Sequence, residues 1–464
     1  MKTVALYNLG CKVNSYETEV MAQKLQESGY RLVPFEQEAD IYIVNTCTVT
    51  NIADRKSRQM LHRARQLNPL AVVVAVGCYV QTGIRAVEAD SGIDLAVGNN
   101  HKKDIVEILE RYLEQRQDKT LRGTTVTDIN RACEYEEMQL KQTTEHTRAY
   151  IKIQDGCNQF CSYCVIPYAR GRVRSRRPED IMREIRGLVE AGYREVVLTG
   201  IHISSYGIDL GEEEWKTGRS LEEKASGRRH PGYNGNSRLI DLTERIHGIE
   251  GLDRVRLGSL EPRIINAETA RRLAAMPNLC PHFHLSLQSG CDATLKRMNR
   301  RYTAGEYYAC VEMLREVYRS PAITTDVIVG FPGETEGEFA VTKAFVEKVD
   351  FYETHIFKYT RREGTAAASM PGQVPETVKT RRSGELLELG RIRAEVFRSR
   401  YIDREAEVLL EERKTVNGRQ WLVGHTKDYV RVAVEDKEPA AVNRIAGISV
   451  KGFLTDDILY GVYD

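Results

Sequence analysis

The chain has 464 residues, of which 41% are hydrophobic; this length exceeds a single hydrophobic core, so two to three globular domains are expected. It contains no run of about 18 apolar residues, and its N-terminus lacks the apolar stretch of a signal peptide, which predicts a cytoplasmic protein without a membrane span. The formal net charge of +1 neither indicates nor excludes a nucleic acid partner. Ten cysteines in such a chain favour metal or redox ligation over disulfides.

The first part of the chain repeats one arrangement three times. Apolar runs at 4–10, 41–46 and 72–77 predict buried strands, and each is followed at once by a cysteine: Cys11, Cys47 and Cys78. Helix-like segments at 16–29 and 53–66 separate the strands, and this order predicts a parallel sheet. Because such sheets bind ligands at the carboxyl ends of their strands, the three thiols are expected to converge.

Three converging thiols suit an iron–sulfur cluster with three protein ligands and one open iron. The alternative is three small buried cysteines that only fill strand ends. The residues around them, at 10–19, 45–49 and 76–81, resemble the N-terminal domain of the methylthiotransferases. The run Cys-Lys-Val-Asn-Ser-Tyr-Glu-Thr-Glu resembles the branch that acts on N6-threonylcarbamoyladenosine in tRNA, rather than the branches for isopentenyladenosine in tRNA or a ribosomal-protein aspartate.

Residues 100–142 are charged and weakly patterned. The stretch 103–117 predicts one amphipathic helix, and 118–144 is interpreted as a connector. Cys133 stands alone in it and is interpreted as an ordinary cysteine rather than a ligand.

A second set of thiols, Cys157, Cys161 and Cys164, lies in one short loop with C-x3-C-x2-C spacing. A structural zinc site takes four protein ligands, whereas three thiolates can hold three irons of a 4Fe-4S cluster and leave the fourth iron open. A zinc ion with a fourth ligand from elsewhere is the alternative. Tyr163, just before the third thiol, is placed to cover a flat ring bound at the cluster.

This spacing, with an aromatic residue before the last cysteine, resembles the signature of radical S-adenosylmethionine (SAM) enzymes. The resemblance implies that the open iron chelates SAM, that an electron from the cluster cleaves it, and that the resulting 5′-deoxyadenosyl radical abstracts a hydrogen atom. The cofactor would carry this chemistry while the protein binds, orients and excludes side reactions.

Six strand–helix repeats in the middle of the chain predict a partial (β/α)6 barrel with its site at the carboxyl ends of the strands. The expected strands are 149–154, 195–199, 254–258, 282–288, 325–329 and 355–359, and the expected helices include 178–191, 267–275, 304–317 and 335–347. Residues that end these strands or follow them are candidates for SAM contacts by resemblance to the superfamily; the alternative is that each only ends a strand or caps a helix. They are Gly200, Ser259, Glu261, Ser286, Gln288 and Gly330.

Charged residues supply further candidates. Arg300 is a candidate partner for a carboxylate, because a guanidinium pairs with it bidentately. Five arginines just after the thiol loop form the densest basic run in the chain and are interpreted as RNA phosphate contacts, with a solvated loop as the alternative: Arg170, Arg172, Arg174, Arg176 and Arg177. The segment 207–237 is interpreted as a polar insertion and a mobile surface loop.

A long charged helix at 375–400 leads into short strands expected at 405–410, 420–425, 430–434, 448–453 and 459–462. They predict a small β-barrel that resembles the TRAM domain, an RNA-binding module, in position and size. From residue 401 onwards nine Lys or Arg face twelve Asp or Glu, so any contact with RNA must come from a local patch.

Together these features predict an α/β protein with an N-terminal parallel α/β domain (1–145), a central radical-SAM barrel (146–398) and a C-terminal TRAM-like β-barrel (399–464). The resemblance implies a tRNA methylthiotransferase that replaces the C2 hydrogen of threonylcarbamoylated adenosine 37 with a methylthio group. It implies two 4Fe-4S clusters, SAM as cofactor, and the tRNA anticodon loop as substrate. We also expect a flavodoxin-like electron donor, a sulfur source, no DNA partner and a monomer. One alternative is a methylthiotransferase of isopentenyladenosine in tRNA or of a ribosomal-protein aspartate. Another, from a different class, is a non-catalytic redox or iron–sulfur protein that binds RNA.

Overall fold

The computed structural model describes residues 1–116, 121–142, 147–212, 215, 238–436 and 442–464. Its N-terminal region is a six-stranded parallel sheet in the order β2-β1-β3-β4-β5-β6. The strands are β1 (Thr3–Asn8), β2 (Arg31–Leu32), β3 (Ile41–Thr46), β4 (Val72–Gly77), β5 (Leu95–Val97) and β6 (Gly123–Thr125). The helices are α1 (Lys12–Glu27), α2 (Asn51–Leu67), α3 (Cys78–Thr82), α4 (Ile84–Ala89) and α5 (Ile105–Gln115).

The three expected strands are β1, β3 and β4, which lie next to one another in this sheet. β3 and β4 are buried at every position, as their unbroken apolar runs indicate. β1 ends at Asn8, two residues earlier than expected, because the chain turns at Gly10, whose φ is +108°. The short strands β2, β5 and β6 were not predicted. The three strands expected from sequence therefore form the centre of the sheet.

The central region contains six parallel strands in sequence order, together with one short antiparallel strand, β8, that was not predicted. Two parallel bridges, Val255 to Leu279 and Leu260 to Leu285, link its two sheets. The expected partial barrel is thus confirmed. The strands are β7 (Arg148–Asp155), β8 (Arg174–Ser175), β9 (Glu195–Gly200), β10 (Arg254–Leu257), β11 (His282–His284), β12 (Ala322–Val329) and β13 (Glu353–Lys358).

Helices cover the outside of this barrel, and side chains from both layers form the largest core of the protein. The helices are α6 (Ile166–Arg170), α7 (Pro178–Glu190), α8 (Arg238–His247), α9 (Ala267–Ala274), α10 (Asp292–Arg297), α11 (Ala304–Val317), α12 (Glu336–Val349), α13 (Ala366–Ser369) and α14 (Glu376–Ser399). Most of the expected insertion at 207–237, and the expected boundary at 145/146, lie outside the described residues.

The C-terminal region is a closed barrel of five strands in the order β14-β15-β16-β18-β17. The strands are β14 (Glu405–Val416), β15 (Arg419–Thr426), β16 (Arg431–Glu435), β17 (Arg444–Thr455) and β18 (Ile458–Tyr463). The sequence predicted each strand, but several are longer than expected because their outer ends alternate with polar residues. Within the described residues, no helix is both long and apolar enough to cross a membrane.

Gly424 supports the closure of the C-terminal barrel. A bulge in β14 between Leu410 and Glu412 brings the neighbouring backbone close, so a Cβ at Gly424 would lie 1.9 Å from the Leu409 carbonyl oxygen. We expect Gly424→Ala to lower the free energy of unfolding by about 3 kcal/mol, measured by urea denaturation.

Gly187→Ala is the matched control, because Gly187 lies in α7 and a Cβ added there would meet no atom within 4 Å. It should leave the free energy of unfolding unchanged or raise it by up to about 1 kcal/mol. Equal stability of the two variants would contradict the role assigned to Gly424.

Candidate active site

The loop with the second thiol set starts where β7 ends. Gly156 has φ +73°, and a Cβ there would lie 1.8 Å from the Arg172 carbonyl oxygen, so only glycine fits. The backbone N–H of Cys157 donates to the Gly171 carbonyl (3.0 Å), and that of Ser162 donates to the Met298 carbonyl (3.0 Å). These bonds fix the loop at the carboxyl ends of the barrel strands, where the sequence placed it.

Nitrogen donors point at the sulfur atoms of this loop. Arg300 Nη1 donates to Cys161 Sγ (3.3 Å), and the backbone N–H of Gln159 donates to Cys157 Sγ (3.5 Å). Burial raises the pKa of Cys157 to about 12 and also raises the pKa of Cys164. The bare thiols of Cys157 and Cys164 are therefore held protonated, and a metal that binds them must displace the protons.

The first thiol set meets at the carboxyl edge of the N-terminal sheet. Cys11 follows β1, Cys47 follows β3, and Cys78 opens α3 directly after β4. A Cβ at Gly10 would lie 2.9 Å from Cys47 Sγ, which shows how closely the loop after β1 passes that thiol. Burial raises the pKa of Cys47 to about 11, whereas Cys11 is exposed. The convergence expected from the strand order is present.

Arg170 joins the two thiol regions. Its Nε donates to Cys78 Sγ (3.2 Å), while its Nη1 donates to Glu17 Oε1 (2.5 Å) and to Asp155 Oδ2 (3.2 Å). Asp155 is the last residue of β7, and its Oδ1 accepts from the N–H of Gly156 (2.8 Å). A continuous buried path of polar contacts thus runs from a thiol of the N-terminal sheet to the start of the barrel's thiol loop.

Glu17 is the anionic centre of this path. Its carboxylate pairs with Arg170, Lys102 and Lys152, all fully buried. Burial alone would raise the pKa of Glu17, but these three cations outweigh it and hold the pKa well below its usual range. In the sequence, Glu17 is only one residue of the run that starts at Cys11, and no role could be predicted for it. Its partners lie 85 to 153 residues away in the chain.

The interpretation of the arginine run as RNA phosphate contacts is wrong for three of its five members. Arg170, Arg174 and Arg176 are at most 1% exposed and pair with buried carboxylates. Arg172 is exposed, with its guanidinium 4.6 Å from the centre of the Phe160 ring, and Arg177 is half-buried. Two members of the run, Arg170 and Arg174, are thus buried cations of the junction between the two thiol regions.

Two candidate SAM contacts outside the thiol loop, Glu261 and Arg300, hydrogen-bond to residues of the loop. Glu261 Oε2 accepts from Gln159 Nε2 (3.1 Å) and pairs with His202 Nε2 (3.1 Å), while its Oε1 accepts from Arg263 Nε (2.7 Å). Burial would raise the pKa of Glu261, but His202 and Arg263 outweigh it and hold the pKa at about 2. An ionised carboxylate therefore faces the loop.

Tyr163 packs against a small apolar cluster that contains Phe331, the residue after Gly330. The Tyr163 ring meets the Phe331 ring edge-on with centroids 6.3 Å apart, and Phe331 directly follows Gly330. Gly330 has φ +70°, and a Cβ there would lie 2.3 Å from Lys379 Cγ. The aromatic residue of the loop and the turn after β12 are therefore neighbours, as a shared cofactor site requires.

The remaining candidates differ in exposure. Gly200 ends β9, and a Cβ there would lie 2.9 Å from the Gln154 carbonyl oxygen. Gln288 is buried with φ +67°, an unusual conformation for a residue other than glycine. The Ser286 carbonyl oxygen accepts from Tyr302 Oη (2.5 Å), and Ser259 is exposed after β10. Their roles toward SAM stay predictions.

Comparison with known proteins agrees with this geometry. Residues 151–346 match the radical SAM superfamily, and residues 3–98 match uncharacterized protein family UPF0004. A radical S-adenosylmethionine methyltransferase from Kitasatospora setae, solved with cobalamin and a 4Fe-4S cluster, superposes with a TM-score of 0.55 at 17% identity, over 79% of this chain and 77% of that one. At this identity the similarity concerns the fold alone.

Fold and thiol loop together define a radical SAM enzyme that carries a second three-thiol site on an N-terminal sheet. The threonylcarbamoyladenosine tRNA methylthiotransferase of Bacillus subtilis (strain 168) is 40% identical over 94% of this chain and 91% of its own length. The Aquifex aeolicus protein of the same name is 38% identical over 88% of this chain and 93% of its own length. The chain belongs to the tRNA methylthiotransferase family, in the threonylcarbamoyladenosine branch.

A 2-methylthio-N6-dimethylallyladenosine synthase of Moorella thermoacetica is also similar, with 34% identity over 88% of this chain and 87% of its own length. This synthase is less similar to the chain than the Bacillus protein is, with 34% against 40% identity. The difference agrees with the run around Cys11, which resembles the threonylcarbamoyladenosine branch.

Each thiol set offers three sulfur ligands of the kind that iron–sulfur clusters take. Nitrogen donors at the Sγ atoms of Cys78, Cys157 and Cys161 suit sulfur atoms that carry negative charge, as thiolate ligands do.

Glu17 should be essential to the stability of the junction. We expect Glu17→Ala to lower the free energy of unfolding by about 3–5 kcal/mol, because it leaves buried cations without their partner. Urea denaturation at pH 7 measures the loss. Glu388→Ala, which removes an exposed partner of Arg391, is the control and should change the stability little.

The contribution of Glu17 to the free energy of unfolding should decrease as the pH falls. Because folding lowers the pKa of Glu17, its stabilisation is present in full above the unfolded pKa of about 4.3 and is lost as pH falls toward the folded pKa. The stability difference between wild type and Glu17→Gln should therefore narrow below about pH 4. A constant difference across this range would contradict the assigned ionisation.

Proposed function

We propose that this chain is a tRNA methylthiotransferase that inserts sulfur and a methyl group at C2 of N6-threonylcarbamoyladenosine 37. The observation that carries the proposal is the pairing of two three-thiol sites across one buried junction, bridged by Arg170. The purine C2–H is neither acidic nor next to a leaving group, so acid–base catalysis has little to offer and radical chemistry is the alternative.

In this proposal each thiol set holds a 4Fe-4S cluster and leaves one iron open. Cys157, Cys161 and Cys164 hold the cluster that binds SAM; the N-terminal set, Cys11, Cys47 and Cys78, holds the sulfur-supplying cluster. When bound, the two clusters and SAM supply the radical, the sulfur and the methyl group. Around the SAM site, Glu261 and Arg300 orient the cofactor, Tyr163 covers it, and Gly200, Ser259, Gln288 and Gly330 offer backbone or side-chain contacts.

The substrate proposed here is the anticodon loop of tRNA. Loop bases can be splayed out and stacked by proteins, and presenting C2 of a base costs a few kcal/mol of unstacking. We assign residues 1–145 to the sulfur-supplying domain, 146–398 to the radical-SAM domain and 399–464 to a TRAM-like domain that contacts RNA. We also propose that the enzyme is monomeric and cytoplasmic, that a flavodoxin-like protein donates its electrons, and that a separate source supplies its sulfur.

Mass spectrometry of tRNA nucleosides from cells with and without this chain tests reaction and substrate together. In cells without the chain we expect 2-methylthio-threonylcarbamoyladenosine to be absent and threonylcarbamoyladenosine without the methylthio group to accumulate. If methylthio-isopentenyladenosine disappears instead, the substrate assignment is wrong. If neither nucleoside changes, the tRNA assignment fails and a ribosomal-protein aspartate becomes the substrate to examine.

Substitutions in the two thiol sets should affect different steps of the reaction. We expect Cys157→Ala to abolish 5′-deoxyadenosine formation, because the cluster that binds SAM loses one of its three protein ligands, whereas Cys47→Ala should retain 5′-deoxyadenosine formation and lose methylthiolation. High-performance liquid chromatography of 5′-deoxyadenosine and nucleosides measures both. The exposed thiol variant Cys133→Ala is the control and should retain both activities. Methylthiolated product from Cys47→Ala would refute the role of the N-terminal set.

A further inference from the structure

Three side chains on adjacent barrel strands form a cluster that the thiol sites do not use. They are His284 on β11, Asp326 on β12 and His355 on β13, and their ligand atoms all lie within 4.8 Å of one another. His284 Nε2 is 3.3 Å from Asp326 Oδ2, and the two imidazole rings stack with centroids 5.8 Å apart. Asp326 and His355 are direct partners in the strand register.

The orientation of His284 suits ligation. Its Nδ1 lies 3.0 Å from Thr324 Oγ1, which holds the ring and leaves Nε2 directed at Asp326. Histidines that bind metals are commonly held in this way through their other ring nitrogen. In the part of the chain that the structure describes, no hydrogen bond occupies a ring nitrogen of His355. Both imidazoles therefore have a nitrogen available.

The cluster faces the inside of the barrel, next to the proposed SAM site. Ile323 and Val327 of β12 face the helices and belong to the main core, so Asp326 lies on the opposite face. Ile328 is on the same face as Asp326 and packs in the small cluster with Tyr163. Two residues along a strand span about 7 Å, so Asp326 lies one strand repeat from Ile328, which packs on the same small apolar cluster as Tyr163.

His355 also has a path to solvent. It is exposed and borders an open groove of about 660 Å³ between β13, α14 and the C-terminal barrel, lined among others by Leu387, Ala394 and Phe453. An ion can thus reach the cluster without passing the thiol loop. An access path is one of the requirements for a functional metal site.

We propose that His284, Asp326 and His355 bind one divalent transition-metal ion, separate from the iron at the six cysteines, and that its open positions take the carboxylate of the substrate's threonylcarbamoyl group. Two imidazoles and one carboxylate are ligands that zinc and ferrous iron favour, and three protein ligands leave coordination positions free. One carboxylate leaves a divalent ion with a net positive charge. The substrate half of this proposal rests on the proposed function; the cation half does not.

Zinc titration of the cluster-loaded enzyme without RNA tests the cation. Isothermal titration calorimetry and elemental analysis should find one zinc per chain beyond the iron, with at least tenfold weaker binding in His355→Ala and His284→Ala. His62→Ala, which removes an exposed histidine paired with Asp90, is the matched control and should bind zinc like wild type. Iron content and circular dichroism confirm that the variants are folded. Unchanged zinc binding in His355→Ala would overturn the site.

Kinetics with threonylcarbamoylated tRNA test the substrate half. We expect His355→Ala to raise the KM for threonylcarbamoylated tRNA about tenfold or more. An unchanged KM overturns carboxylate binding at this cluster. A raised KM without zinc binding overturns the cation and leaves the histidines as direct contacts. If wild type fails to modify this tRNA, the proposed function fails, whereas the zinc titration still decides the metal site.

Discussion

The structure depends on a set of charges buried between the N-terminal sheet and the central barrel. Glu17 and Asp155 provide two negative charges, and Lys102, Lys152, Arg170 and Arg174 provide four positive ones in contact with them. Removing such groups from water costs several kcal/mol for each ion, and only close pairing offsets it. Within this set of contacts, the positive charge exceeds the negative charge.

That excess lies beside Cys78, whose sulfur accepts a hydrogen bond from Arg170. A thiolate there, as a cluster ligand, would supply negative charge where the network lacks it, whereas a neutral thiol would not. A thiolate at Cys78 would therefore be more favourable beside these cations than a protonated thiol. The same ion pairs hold the N-terminal sheet against the barrel.

The sequence predicted those parts of the fold whose causes are local. The unbroken apolar runs of β3 and β4 required buried strands, and the carboxyl ends of parallel strands had to bring Cys11, Cys47 and Cys78 together. The loop spacing of Cys157, Cys161 and Cys164 was equally informative, because all three lie on one short segment. In these cases a regular geometry links a residue's position in the sequence to its position in space.

The misassigned and missed residues are those whose environment is set by distant partners. A dense arginine run normally indicates a solvated or nucleic-acid-binding face. No residue near Arg170 in the sequence indicates that Glu17 is its partner. The His284, Asp326 and His355 cluster was missed for a similar reason, since its members are spread over three strands and only the barrel register aligns them. Short strands such as β2 and β5 were not predicted because they contain too few residues to show a hydrophobic pattern in the sequence.

The C-terminal barrel determines which side of the central barrel stays accessible. Tyr429 stacks between His282 and His425, with ring centroids 4.9 and 4.5 Å away. Arg148 and Arg256 lie over the same ring, and Arg256 Nη1 also donates to the Lys427 carbonyl (2.9 Å). Arg148 and His282 begin their strands, so this contact covers the end of the barrel opposite the thiols. The proposed substrate must then approach from the carboxyl edge or from the open side at β13, where both the thiol loop and the His–Asp–His cluster can be reached.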